Sequence, residues 1–199
     1  MSTPSEQRLL RCIQLFHHRW SVPVVANLHT RGHCRFAELR NILGASRDTL
    51  GDTIARLVTS GLVVRPTVAR TPASVEYALS PAGELVGDAC VAAVAVVRMR
   101  GLVDVALKKW PMLVVIAIGR GAARYGEMHA LLPGITSRAL AMALKDLEAA
   151  NLVERRIGRG YPPTVTYHLT PLGHEILPAM DALAVACEQV PPPCDSPQA

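Results

Sequence analysis

The chain has 199 residues, of which 50% are apolar and 4% aromatic, and it carries a formal net charge of +5. That length holds one large domain or two small ones, with a core of Leu, Val, Ala and Ile, and the basic balance suits a polyanionic partner. The longest apolar runs, "ACVAAVAVV" and "WPMLVVIAIG", are too short to cross a bilayer and exclude a membrane-spanning helix.

The start, "MSTPSEQRLL", has no apolar signal core, so a cytoplasmic location is expected. The first clear helix runs through "WSVPVVANLH", which is apolar on all sides and therefore buried. A short helix, "FAELRNIL", and a turn, "GAS", follow. Ser46 is a natural N-cap because its hydroxyl accepts from a free amide of the next turn. The helix over 46–60 places Leu50, Ile54, Leu57 and Val58 on one stripe and leaves its other face free. Gly61 suits a left-handed helix stop. "LVVRPTV" then leads through a polar loop to "SVEYALS", where Val75, Tyr77 and Leu79 alternate with outward residues as in an antiparallel strand. "PAGELVGDACVAAVAVVRMRGLVDVALKKW" predicts a long covered helix with a break near Gly101.

From Trp110 onward the same elements return at an offset of about 90 residues. Arg124, Tyr125 and Glu127 answer Arg35, Phe36 and Glu38, and Leu140, Leu144 and Leu147 answer Leu50, Ile54 and Leu57. Thr136 is the second N-cap, the helix over 136–150 ends at Asn151, and "LVERRIG" and "TVTYHLT" form the second hairpin. Val165, Tyr167, Leu169, Pro171 and Gly173 repeat Val75, Tyr77, Leu79, Pro81 and Gly83. "PLGHEILPAMDALAVACEQ" is the counterpart of the long central helix, and the Pro-rich end "VPPPCDSPQA" is expected to be disordered.

Each unit thus reads helix, helix, helix, β-hairpin, which is a winged helix-turn-helix. The expected fold class is mainly α with small β-hairpins: a tandem winged helix-turn-helix forming an intramolecular pseudo-dimer. The expected divisions are a first unit over 8–90, a linking helix over 91–107, a second unit with its C-terminal helix over 108–189, and a tail over 190–199.

At "RWSVPVVANL" and "KWPMLVVIAI", "RFAELRNIL" and "RYGEMHALLPGIT", "LEAANLVERR" and "PPTVTYHLTPLG", the chain resembles the HxlR-type winged-helix transcriptional regulators, relatives of the MarR group. The resemblance covers roughly residues 8–90 and 98–185. It implies a DNA-binding regulator. Family members usually act as homodimers on palindromic operators, whereas this chain carries both units covalently. Some members sense oxidants through a Cys well before the Trp. The matching position here is Gln7, and Cys12 lies closer to Trp20.

A helix-turn-helix faces the major groove with the start of its recognition helix. In the first unit that surface offers Ser46, Arg47, Thr49 and Arg56, opposed by Asp48 and Asp52. In the second it offers Thr136, Ser137, Arg138 and Lys145, with Ala141 and Met142 where a polar side chain is usual. The wings supply Arg65, Arg70, Arg155, Arg156 and Arg159, suited to the backbone or the minor groove. The two surfaces differ, so an asymmetric DNA site is expected.

A cleft between the units is a natural pocket, which Phe16, Trp20, Trp110, Met112 and Met180 can line for a small apolar or aromatic ligand. Such a ligand would induce a regulator. It would instead be the whole function, as in a natural-product-binding or self-resistance protein, if DNA binding is weakened or lost. The expected partners are double-stranded DNA and this ligand, with no membrane, and the chain acts as a monomeric pseudo-dimer or a homodimer. Cys12, Cys34, Cys90, Cys187 and Cys194 form no CxxC pair and read as reduced thiols. No metal, cofactor or catalytic arrangement is expected: His17 with His18, and His29 and His33 with Cys34, lack the spacing and partners of a site.

Overall fold

The computed structural model describes residues 13, 15–65, 76–161 and 163–191. Cys12, Arg70, Val75, Cys194 and most of the expected tail lie outside them. The first unit contains α1 (Ser21–Arg31), β1 (His33–Arg35), α2 (Phe36–Leu43), α3 (Arg47–Thr59), β2 (Val63–Val64) and β3 (Glu76–Leu79). Two helices join it to the second unit: α4 (Pro81–Met99) and the short α5 (Val103–Ala106). The second unit contains α6 (Pro111–Gly119), α7 (Tyr125–Leu131), α8 (Ser137–Ala149), β4 (Val153–Ile157), β5 (Val165–Leu169) and α9 (Pro171–Gln189).

Local chemistry sets the helix ends. Ser46 Oγ accepts from Thr49 N at 3.3 Å, and Thr136 Oγ1 accepts from Ala139 N at 3.2 Å. Glu38 and Glu127 reach back to the amides of Arg35 and Arg124 at 2.8 and 2.9 Å. Gly61 (φ 74°) and Asn151 (φ 54°) take the left-handed conformation after α3 and α8. The buried stripes are Leu50, Thr53, Ile54 and Leu57 on α3, and Leu140, Ala143, Leu144 and Leu147 on α8.

The two sheets differ. β4 and β5 pair antiparallel from Val153↔Leu169 to Ile157↔Val165. In the first unit the sheet has three strands in the order β1-β3-β2, with Cys34 opposite Tyr77. A hairpin was expected there, and β1 adds a third strand to it. The second unit keeps only a vestige of this third strand, the bond from Tyr167 N to Ala123 O at 2.8 Å.

One joint recurs closely. Leu62 O accepts from Ser80 N at 3.0 Å, and Ser80 Oγ donates to Gly61 O while capping α4 at Gly83 N. In the second unit Leu152 O accepts from Thr170 N at 3.1 Å, and Thr170 Oγ1 donates to Asn151 O and caps α9 at Gly173 N. Gly83 and Gly173 therefore sit inside the first helical turn, not in a turn preceding it. A Cβ on either would fall 2.1 or 2.2 Å from the carbonyl oxygen of Leu62 or Leu152.

α4 runs unbroken from Pro81 through the expected boundary at residue 90, and its break at Gly101 (φ 67°) is where the sequence placed it. α4 packs on α1 and on α9, and α9 also packs on α6. The paired long helices join the units through a shared core. The two units exchange bulk at an equivalent contact: the His29 ring of α1 lies over Gly87 of α4, and their counterparts are Gly119 of α6 beneath Leu177 of α9.

His29 bridges two acids, with Nδ1 2.7 Å from Glu84 and Nε2 2.9 Å from Asp88. The hydrogen bond to Glu84 first, then that to Asp88, raises its pKa above the ordinary 6.5. This stabilisation is fully present below that value and is lost as the pH rises through the higher folded-state pKa. Because the carboxylates are exposed, the effect is about 1 kcal/mol at most. Unfolding temperatures at pH 5.5 and 8.5 should therefore differ less in His29→Gln than in the parent, and an unchanged difference would remove His29 as the cause.

Candidate nucleic-acid interface

The free faces of α3 and α8 are built alike and charged differently. On α3, Ser46, Arg47, Asp48, Thr49, Asp52 and Arg56 are exposed. Ser46 Oγ donates to Thr49 Oγ1 at 2.7 Å, so these two hydroxyls hold each other at the helix start. On α8, Thr136, Ser137, Arg138, Ala141, Met142 and Lys145 are exposed. Tyr125 donates its hydroxyl to Ser137 O at 2.6 Å and pins α7 to the start of α8, whereas Phe36 at the equivalent place has no hydroxyl to donate.

Among the described residues Arg47, Arg56, Arg138 and Lys145 form no ion pair. They are available to an external anion. Asp48 and Asp52 beside Arg47 oppose a phosphate, while the first turn of α8 carries no acid.

The second wing projects further than the described part of the first. Arg155 shares a face with Val153 and Ile157, and Arg156 shares the other with Glu154, its ion-pair partner. The two arginines therefore point to opposite sides of the hairpin. Arg159 and the fully exposed Tyr161 lie at the tip, and Arg159 has no ion pair among the described residues. In the first wing Arg65 stacks over the Tyr77 ring at 5.6 Å. Arg70 lies outside the described residues.

Of the ligand-lining residues expected from sequence, Phe16, Trp20, Met112 and Met180 border one cavity of about 140 Å³ beneath α4. Trp110 is not in its wall. It precedes α6, with Lys109 Nζ 4.6 Å from its ring centre, as Arg19 lies 5.5 Å from the Trp20 ring. A second cavity, of about 500 Å³, involves the C-terminal end of α3, His17 and His18. The two histidines adjoin in sequence, but nothing in their local pattern joins them to Arg56. Cys34 is buried, which pushes its thiol pKa up and makes it a poor nucleophile. Among the described residues no three His, Cys, Asp or Glu side chains are arranged to hold a metal ion, and no helix is long and apolar enough to cross a membrane.

The HxlR-like helix-turn-helix family model matches this chain twice, over residues 15–98 and 105–193. An HTH-type transcriptional regulator of Methanothermobacter thermautotrophicus is 37% identical over 75 residues, which are 38% of this chain and 57% of the relative's length. The regulator YvaP of Bacillus subtilis is 31% identical over 87 residues, 44% of this chain and 81% of its own length. A crystal structure described as a MarR-family transcriptional regulator from Enterococcus faecalis V583 is 30% identical, covering 47% of this chain and 76% of that one, with a TM-score of 0.37.

Proposed function

The chain belongs to the HxlR-like helix-turn-helix family, carries two of its units in tandem, and is a transcriptional regulator; from that premise we propose how it engages DNA. α3 and α8 enter neighbouring major-groove segments of one duplex, and the wings hold the backbone or minor groove beside them. The two covalently joined units take the place of a homodimer. The observation that carries this reading is the exposed free face of α8. Arg138 and Lys145 stand there without internal counter-ions, and the cationic second wing belongs to the same unit.

The second unit dominates the contact. Arg138 and Lys145 face the groove, while Arg155, Arg156 and Arg159 meet phosphates. Ser46, Arg47, Thr49, Arg56 and Arg65 of the first unit and Thr136 and Ser137 of the second complete the surface. Asp48 and Asp52 weaken the first unit's share. The protein works in the cytoplasm and performs no catalysis, in keeping with relatives named as transcriptional regulators.

A mobility-shift titration on the gene's own upstream DNA across a salt series tests the reading. Saturable binding that exceeds binding to random duplex and weakens steeply with salt supports it. Binding no stronger than to random duplex would favour the second reading, a small-molecule binder. The cavity that gathers Phe16, Trp20, Met112 and Met180 is the observation on its side.

A further inference from the structure

The cavity of about 500 Å³ beside α3 shares only Arg56 with the contacts assigned above. Its polar wall holds His17, His18, Arg56 and Ser60, and its apolar wall holds Leu57, Leu62, Val86 and Val190. The wall thus joins the C-terminal end of α3 to the last turn of α9, which belongs to the second unit.

The site holds one full positive charge, the Arg56 guanidinium, beside two histidines that can donate hydrogen bonds. His17 and His18 lie 3.3 Å apart at their ring nitrogens, and Arg56 has no ion pair among the described residues. Burial first, then the nearby positive charges of Lys109 and Arg56, hold His17 below its ordinary pKa. His18 is lowered in the same way, by burial, Arg56, His17 and Lys109, with Asp52 alone acting against them.

The second unit provides an internal comparison. At the repeat offset the counterparts of His18 and Arg56 are Lys108 and Asp146, which pair at 2.7 Å. There Asp146 of α8 supplies the anion to Lys108 in the segment before α6. In the first unit Arg56 stands where the second unit has this acid, so a base replaces an acid beside His18.

We infer that the first unit binds one small organic anion, with a carboxylate or equivalent head against Arg56 and His18 and an apolar body over Leu57, Leu62, Val86 and Val190. A planar guanidinium forks onto a carboxylate, and a cavity of this size accepts a ligand of drug-like dimensions. Occupancy ties α3 to α9 and so alters the presentation of the first recognition helix. That coupling rests on the regulator reading, but binding itself does not.

The test is isothermal titration of the full chain, without DNA, with benzoate, 2-naphthoate and octanoate, each against its uncharged amide. At least one acid is expected to bind at one molecule per chain, with its amide at least tenfold weaker. Arg56→Gln and His18→Gln should each lower that affinity at least tenfold while the unfolding temperature stays within about 2 °C, because neither side chain is in the core. No heat from any acid, equal binding of acid and amide, two equivalent sites per chain, or unchanged affinity in folded Arg56→Gln overturns the proposal. Because DNA is absent, failure of DNA binding would remove the regulator reading and leave this result standing.

Discussion

Reversing Arg138 and Arg159 together to Glu is expected to lower specific DNA affinity on the order of 100-fold or more while the protein remains folded. Arg138 lies in the first turn of α8, exposed and without an ion pair among the described residues, and Arg159 has the same standing at the wing tip. A lost groove contact costs about 1–3 kcal/mol, and each lost phosphate contact removes about 0.9 from the salt slope. Repulsion adds to both. Stability should hold, since neither side chain is buried and an acid near a helix N-terminus is mildly favourable. Arg47→Glu should have a smaller effect, because Asp48 and Asp52 already oppose a phosphate there. Anisotropy titrations at several salt concentrations separate these outcomes. Unchanged affinity and slope in the double variant would show that the second unit does not carry the contact.

Gly83→Ala and Gly173→Ala are each expected to destabilise the chain by about 3 kcal/mol, the upper part of the usual range for forcing an atom into a packed site. The added Cβ would meet a backbone oxygen, Leu62 O at 2.1 Å or Leu152 O at 2.2 Å, which has no rotamer by which to yield. That oxygen accepts from Ser80 N or Thr170 N, so relieving the clash opens the joint between wing and long helix. A loss of roughly 10 °C in unfolding temperature follows for a chain of this size. Gly51→Ala is the control. Its Cβ meets nothing within 4 Å on α3, so the change should be neutral or stabilising by up to about 1 kcal/mol. Equal melting of all three variants would refute the close approach.

Most of the architecture was legible because it is local or periodic. The stripes on α3 and α8, the hydroxyl caps at Ser46 and Thr136, and the stops at Gly61 and Asn151 are set by nearby residues, and the repeat doubled each signal. β1 was not legible, since three residues held by backbone pairing leave no pattern, and only Cys34 among them is buried. The role of Gly83 and Gly173 was also hidden, because their need for space comes from carbonyls about 20 residues away. At the candidate interface the exposed cations could be named from sequence. Their freedom from partners, and the contrast between the Lys108–Asp146 pair and the His18–Arg56 site, arises only when distant segments meet. The opposed directions of Arg155 and Arg156 follow from strand alternation alone.

The most direct measurement is a hydroxyl-radical footprint of the full chain on the gene's upstream duplex, taken where one chain is bound per duplex. The account predicts two protected backbone segments about one helical turn, 10–10.5 base pairs, apart. The stronger should weaken selectively in the Arg138→Glu, Arg159→Glu variant. Absence of protection beyond that on random duplex, or a single segment indifferent to these substitutions, would contradict it.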